Sequence, residues 1–133
     1  MELVIVGTVR STLTDVAAAP KQGDEGAPDA WLVFDRRFAD AVDGIAADDE
    51  LLVLTWLHRA DRSVLRVHPR DDPTNPERGV FNTRSADRPN PVGLHRVTVT
   101  SIDGLRLQVR NLEAVDGTPI IDVKPPLRGT GER

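Results

Sequence analysis

Hydrophobic and polar positions alternate with a period of two through "HRVTVTSI" (95–102) and "LRLQVRNL" (105–112). That period puts successive side chains on opposite faces of an extended chain, so it predicts strands over Leu94–Ile102 and Leu105–Leu112. Asp103-Gly104 between them predicts a tight two-residue hairpin. Upstream, the apolar stretch Leu3–Val9 predicts an opening strand and Trp31–Phe34 a second. Phe38, Ala41, Val42 and Ile45 recur at helical spacing and predict one face of a short helix. "ELLVLTWL" (50–57) is the most continuous apolar run and reads as a strand buried on both faces. Ser63–Val67, Val80–Thr83 and Pro119–Val123 complete the predicted strands, with Asp116-Gly117 as the turn before the last. Residues 15–30 and 68–79 carry no periodicity and predict long loops, and "RGTGER" predicts a disordered tail. The pattern describes a mainly β chain: a small antiparallel β-barrel with one short helix and long loops. Its domain is expected over residues 1–126, with a tail at 127–133.

Composition narrows the chemistry. With 133 residues, one domain is expected. The absence of cysteine excludes disulfides, thiolate metal sites and a thiol nucleophile. No apolar run reaches membrane-spanning length, and Met1 leads straight into a predicted strand, so a cytoplasmic protein with no membrane partner is expected. His58, His68 and His95 lack the spacing of metal ligands, so no metal is expected. No glycine-rich fingerprint follows a strand in a βαβ unit, which argues against a Rossmann cofactor domain. Two Trp, three Phe and no Tyr leave little for stacking on bases.

Charge adds a further constraint. The net charge of −4 argues against bulk coating by nucleic acid. Yet residues 1–56 hold 4 basic and 11 acidic side chains, net −7, whereas residues 57–133 hold 13 and 10, net +3. Fifteen of the 17 basic residues are arginine, whose planar fork suits carboxylates and phosphates. Three of these features converge in "GVFNTRSADRPNPVGL" (79–94): Pro89 and Pro91 stiffen the backbone around Asn90, between Arg84 and Arg88. Two readings fit: an anion or carboxylate clamp, or a Pro-stiffened connection with solvated arginines. Asp122 and Lys124, two apart on a predicted strand, likewise read either as a proton-transfer pair or as an exposed ion pair.

"GVFNTRSADRPNPVGL" also resembles the "GVFxTRSPxRPNPIG" signature of the TsaA-like family, and "LEAVDGTPIIDVKP" (112–125) resembles its "LDxxDGTPVxDIKPY". "VGTVRS" (6–11), "PKQ" (20–22) and "LTWLHRA" (54–60) extend the resemblance to Pro125. It implies a small β-barrel, usually a homodimer, that binds S-adenosylmethionine without a Rossmann domain. It also implies methyl transfer to N6 of threonylcarbamoyladenosine at position 37 of tRNA. Carried over by position, cofactor contacts fall on Pro20, Lys21, Gln22, His58, Arg59, Arg84, Leu94, Asp116, Gly117, Thr118, Pro119 and Ile120. Arg88 and Asn90 are the candidate substrate contacts. Asp116 and Asp122 are candidate bases, with Lys124 positioning. The chain departs from the pattern at Ala86, where the family has Pro, and at Pro126, where it has Tyr. It is expected to be a short form lacking the family's C-terminal domain, so tRNA would rest on a local basic surface. The alternatives are a small-molecule acceptor on the same fold, or a non-catalytic module that binds the cofactor or a nucleotide.

Overall fold

A computed structural model of the chain describes residues 1–14 and 29–127. Eight strands form among these residues: β1 Gly7–Arg10, β2 Ala30–Phe34, β3 Glu50–Trp56, β4 Arg66–Val67, β5 Arg78–Gly79, β6 Val92–Asp103, β7 Arg106–Arg110 and β8 Pro119–Lys124. Six of them close into a barrel in the order β1-β2-β7-β6-β3-β8, every neighbouring pair antiparallel. Closure removes the unpaired edges that an open sheet would expose. The short pair β4–β5 stands apart from the barrel.

The period-two pattern is what fills the barrel. Val9, Leu32, Val53, Val97, Val99, Leu107, Val109 and Ile120 all point inward and form its core with Leu112. Each such Val or Leu contributes about 1.5–3 kcal/mol by leaving water. A turn of 3-10 helix at Arg36–Phe38 runs into the α-helix α1, Ala39–Val42, and Val42 and Ile45 pack against the core.

Four expectations change. β1 starts at Gly7, and Leu3, Val4 and Ile5 are exposed. β3 buries one face only: Leu51, Val53 and Thr55 are buried, while Leu52, Leu54 and Trp56 on the outer wall are half-buried. An antiparallel barrel wall has one inside, so the apolar run at β3 is an alternating strand with greasy outer positions. Val80–Asn82 is a 3-10 turn rather than a strand, with Thr83 donating through N and Oγ1 to Val80 O. The hairpin turn falls on Gly104-Leu105, because Asp103 pairs with Arg106. Gly104 takes φ +59°, the left-handed value a turn opening on glycine requires.

Candidate functional site

Two neighbouring segments build a cleft against β6. Residues 57–63 leave β3 and residues 84–91 enter β6, and a set of hydrogen bonds holds them together. Leu57 N donates to Pro91 O at 2.8 Å. Arg62 Nε donates to Pro89 O at 2.7 Å and its Nη2 to Asn90 Oδ1 at 3.2 Å, with the guanidinium 5.1 Å over the Trp56 ring. Asp61 N donates to Asp87 Oδ1 at 2.8 Å. Arg88 Nη2 donates to Val80 O and to Thr83 O, closing the turn beneath the loop. The two prolines therefore hold a backbone that is also clamped from its neighbour.

The resulting cleft is about 590 Å³, a size suited to one small ligand. Leu57, Val92 and Leu94 give it apolar wall, and Thr83, Ser85 and Thr118 contribute hydroxyl-bearing residues. Its charge is opposite in sign to the chain's. Arg59, Arg70, Arg84 and Arg88 line it against two carboxylates, Asp87 and Glu113, among the described residues. Arg84 spends one donor, Nη2 to Leu94 O at 3.1 Å, and keeps the rest of its fork without a partner among those residues. His58 is exposed and has no side-chain partner there either.

Of the cofactor contacts expected from sequence, His58, Arg59, Arg84, Leu94 and Thr118 line the cleft. Pro20, Lys21 and Gln22 lie outside the described residues, although Arg59 Nη1 donates to Thr14 O, at the edge of that segment. Asp116, Gly117, Pro119 and Ile120 do not line the cleft. Asp116 Oδ1 accepts from Ser11 N at 3.0 Å, Gly117 N donates to Val9 O, and Ile120 is core. This turn's bonds fasten β8 to β1 and the residues after it.

The catalytic and substrate candidates separate in the same way. Asp122 and Lys124 pair with each other at 2.9 Å and lie outside the cleft lining. Asn90 also lies outside it, accepting from Arg62, whereas Arg88 lines it while bracing the turn. The alternation of β8 puts Asp122 and Lys124 on one face, as the spacing predicts, and that face is not the cleft's.

The site also holds polar residues to which sequence assigned no role. His95 points into the barrel wall at 4% exposure; its Nε2 lies 2.6 Å from Thr55 Oγ1 and its Nδ1 2.6 Å from Glu113 Oε1. His95 and Glu113 line the cleft, and Thr55 is fully buried behind them. Glu113 lies 18 residues from His95 and Thr55 lies 40, so the β3–β6 pairing and the path of the chain past β7 bring them together. Among the described residues no three potential metal ligands cluster.

Residues 8–130 match the family model described as the tRNA-methyltransferase O N-terminal domain. A "Probable S-adenosyl-L-methionine-binding protein" of Methanothermobacter thermautotrophicus is 45% identical over 120 residues, spanning 90% of this chain and 85% of its own. The "tRNA (adenine(37)-N6)-methyltransferase" of Escherichia coli is 34% identical over 131 residues, spanning 92% of this chain and 56% of its own. The crystal structure of TrmO from Pseudomonas aeruginosa superposes with a TM-score of 0.74 at 25% identity, covering all of this chain and 60% of that one. The chain thus spans most of the archaeal relative, and three fifths or less of the two bacterial proteins.

Proposed function

The chain belongs to the tRNA-methyltransferase O N-terminal domain family, and from that premise we propose that it binds S-adenosylmethionine in the cleft beside β6. We propose further that it methylates N6 of threonylcarbamoyladenosine at tRNA position 37.

The cleft's lining fits such a cofactor. A methionine carboxylate suits the unspent fork of Arg84, with Arg59 on the same lining. Leu57, Val92 and Leu94 suit the apolar faces of a nucleoside. Asp87 is a negative charge available to the cofactor's ammonium. When bound, S-adenosylmethionine supplies an activated methyl group, which leaves the protein to orient donor and acceptor and to accept a proton.

The observation that carries the reading is the reversal of charge. A chain of net charge −4 lines this one cleft with four guanidiniums against two carboxylates. Arg78, exposed on β5, adds a further guanidinium to this arginine-rich stretch and offers a phosphate contact. The negative total favours a second reading, a small-metabolite acceptor on the same cofactor site.

The test is methyl transfer by the purified chain to tRNA carrying threonylcarbamoyladenosine, read by mass spectrometry of the nucleosides. The tRNA reading expects the N6-methylated nucleoside, and binding that weakens steeply with salt as counterions are released. Cofactor binding with an unmodified tRNA product would instead favour the small acceptor.

A further inference from the structure

The proposed reaction needs a group to receive the proton of the nitrogen being methylated. We infer that Glu113 is that group, and that His95 and Thr55 are its positioning residues. The inference rests on the methyl-transfer reading above and adds a named acid–base group to it.

The geometry leaves few alternatives. A carboxylate oxygen accepts, so at the 2.6 Å contact it is His95 Nδ1 that carries the hydrogen and donates to Glu113 Oε1. Thr55 Oγ1 has no other hydrogen-bond partner among the described residues, so its hydroxyl donates to Nε2 at 2.6 Å, which assigns the Nδ1–H tautomer. Both ring nitrogens are thereby occupied, and the ring cannot itself take a proton from a ligand without breaking this chain. Glu113 differs. Its side chain is 16% exposed, it lines the cleft, and Oε2 has no partner among the described residues. No buried side-chain oxygen or nitrogen among those residues lacks a partner, so Oε2 is open rather than sealed.

Other candidates are less well placed. Asp87, the second carboxylate of the lining, is tied to Asp61 N and helps clamp the two loops. His68 Nδ1 is engaged with Asn75 O at 2.9 Å. His58 has no partner to fix its ring among the described residues. Asp87 Oδ2 is open as well, but Asp87 is held by a backbone N–H at the exposed loop clamp, whereas Glu113 is the lining carboxylate fixed by a buried side-chain relay.

The sequence is adapted to the chain behind it. Thr55 pairs across the ladder with Gly93, and His95 is two residues further along the same face. A Cβ at residue 93 would fall 2.4 Å from Thr55 Oγ1 and 2.7 Å from His95 Nε2, so glycine is what lets these two atoms meet. A buried polar chain often costs more than an apolar packing of equal volume, and one placed beside a cleft suits a role at that cleft.

The ligand group it fits is a weakly nucleophilic N–H such as an amide or ureido nitrogen. The proton passes from that nitrogen to Glu113 Oε2, leaving a neutral carboxylic acid. The nitrogen's electron pair forms the new N–C bond, and the methyl's old bond breaks with its pair retained by the leaving group. The Nδ1–H bond to Oε1 persists throughout and keeps the acid aimed.

The experiment combines calorimetry with S-adenosylhomocysteine, steady-state kinetics on tRNA, and 15N NMR of the His95 ring. Wild type should show protonated Nδ1 and unprotonated Nε2. Glu113→Gln should bind S-adenosylhomocysteine within about threefold of wild type while kcat falls roughly 100-fold or more and KM barely moves. Thr55→Val, of nearly equal volume, should shift the Nε2 resonance and lower kcat about tenfold, and it serves as the test if Glu113→Gln does not fold. Wild type that gives no binding heat overturns the functional reading and this inference with it. Wild type that binds and transfers, while Glu113→Gln and Thr55→Val keep kcat within threefold, overturns this inference alone. A ring protonated only on Nε2 also overturns it.

Discussion

Gly93→Ala is a small change with a calculable cost. The added methyl would sit 2.4 Å from Thr55 Oγ1 and 2.7 Å from His95 Nε2, both far inside ordinary contact. Neither neighbour can retreat freely: Thr55 is fully buried in β3, and the His95 ring is tied to Glu113 on its other side. The Thr55–His95 hydrogen bond is the part that yields. Losing it costs about 0.5–1.5 kcal/mol, and about 1–3 kcal/mol if a buried polar atom is left unpaired. Overpacking adds about 1–3 kcal/mol. Replacing glycine by alanine within a strand returns about 0.5–1 kcal/mol. The net expectation is a loss of about 0.5–5.5 kcal/mol, centred near 3, a large part of the roughly 5–15 kcal/mol that holds a domain of this size. Urea denaturation followed by tryptophan fluorescence measures it. Adding Thr55→Ala removes the closest clash, so the double variant should be at least ~1 kcal/mol more stable than the two single effects predict. A Gly93→Ala chain within about 0.5 kcal/mol of wild type, or strict additivity in the double variant, would refute the packing described for this site.

Three further outcomes follow from the placement of residues. Ile120→Val trims a core side chain, so it should cost about 0.5–1.5 kcal/mol in urea while calorimetric affinity for S-adenosylmethionine stays unchanged. Asp122→Asn breaks an exposed pair with Lys124, so methyl-transfer kcat should stay within about twofold and stability should move by less than about 1 kcal/mol. Asp61 accepts from the hydroxyl and then the backbone N–H of Ser63, which holds its carboxyl below the usual 3.8. With the folded value depressed, this turn's contribution is complete above the unfolded value and is lost as pH falls through the folded one. A 13C titration should place the Asp61 midpoint below 3.8, and Ser63→Ala should return it toward that value.

Much of the barrel was legible because period-two alternation is a local signal. β6 and β7 carry it directly, and they and β8 fall within a few residues of expectation. The 3-10 turn at Val80–Asn82 was not legible, because a short apolar run has no period long enough to distinguish strand from turn. The site divides along the same line. Arg59, Arg84 and Leu94 sit in motifs that lie beside the cleft, and sequence resemblance finds them. The Thr55–His95–Glu113 chain is assembled by the β3–β6 ladder and a residue past β7, so no local pattern announces it. Conversely, Asp116 reads as chemistry in sequence and acts as a brace in the fold, since its carboxylate accepts from Ser11 N.

The most direct test of the proposed cofactor site is isothermal titration of S-adenosylmethionine into the full chain and into Arg84→Ala. Wild type should bind saturably and one-to-one. Removing the Arg84 fork should cost a charged hydrogen-bonding contact of about 1.5–3 kcal/mol, a loss of roughly 10- to 100-fold in affinity. No binding by wild type, or equal affinity in both proteins, would contradict the proposed site.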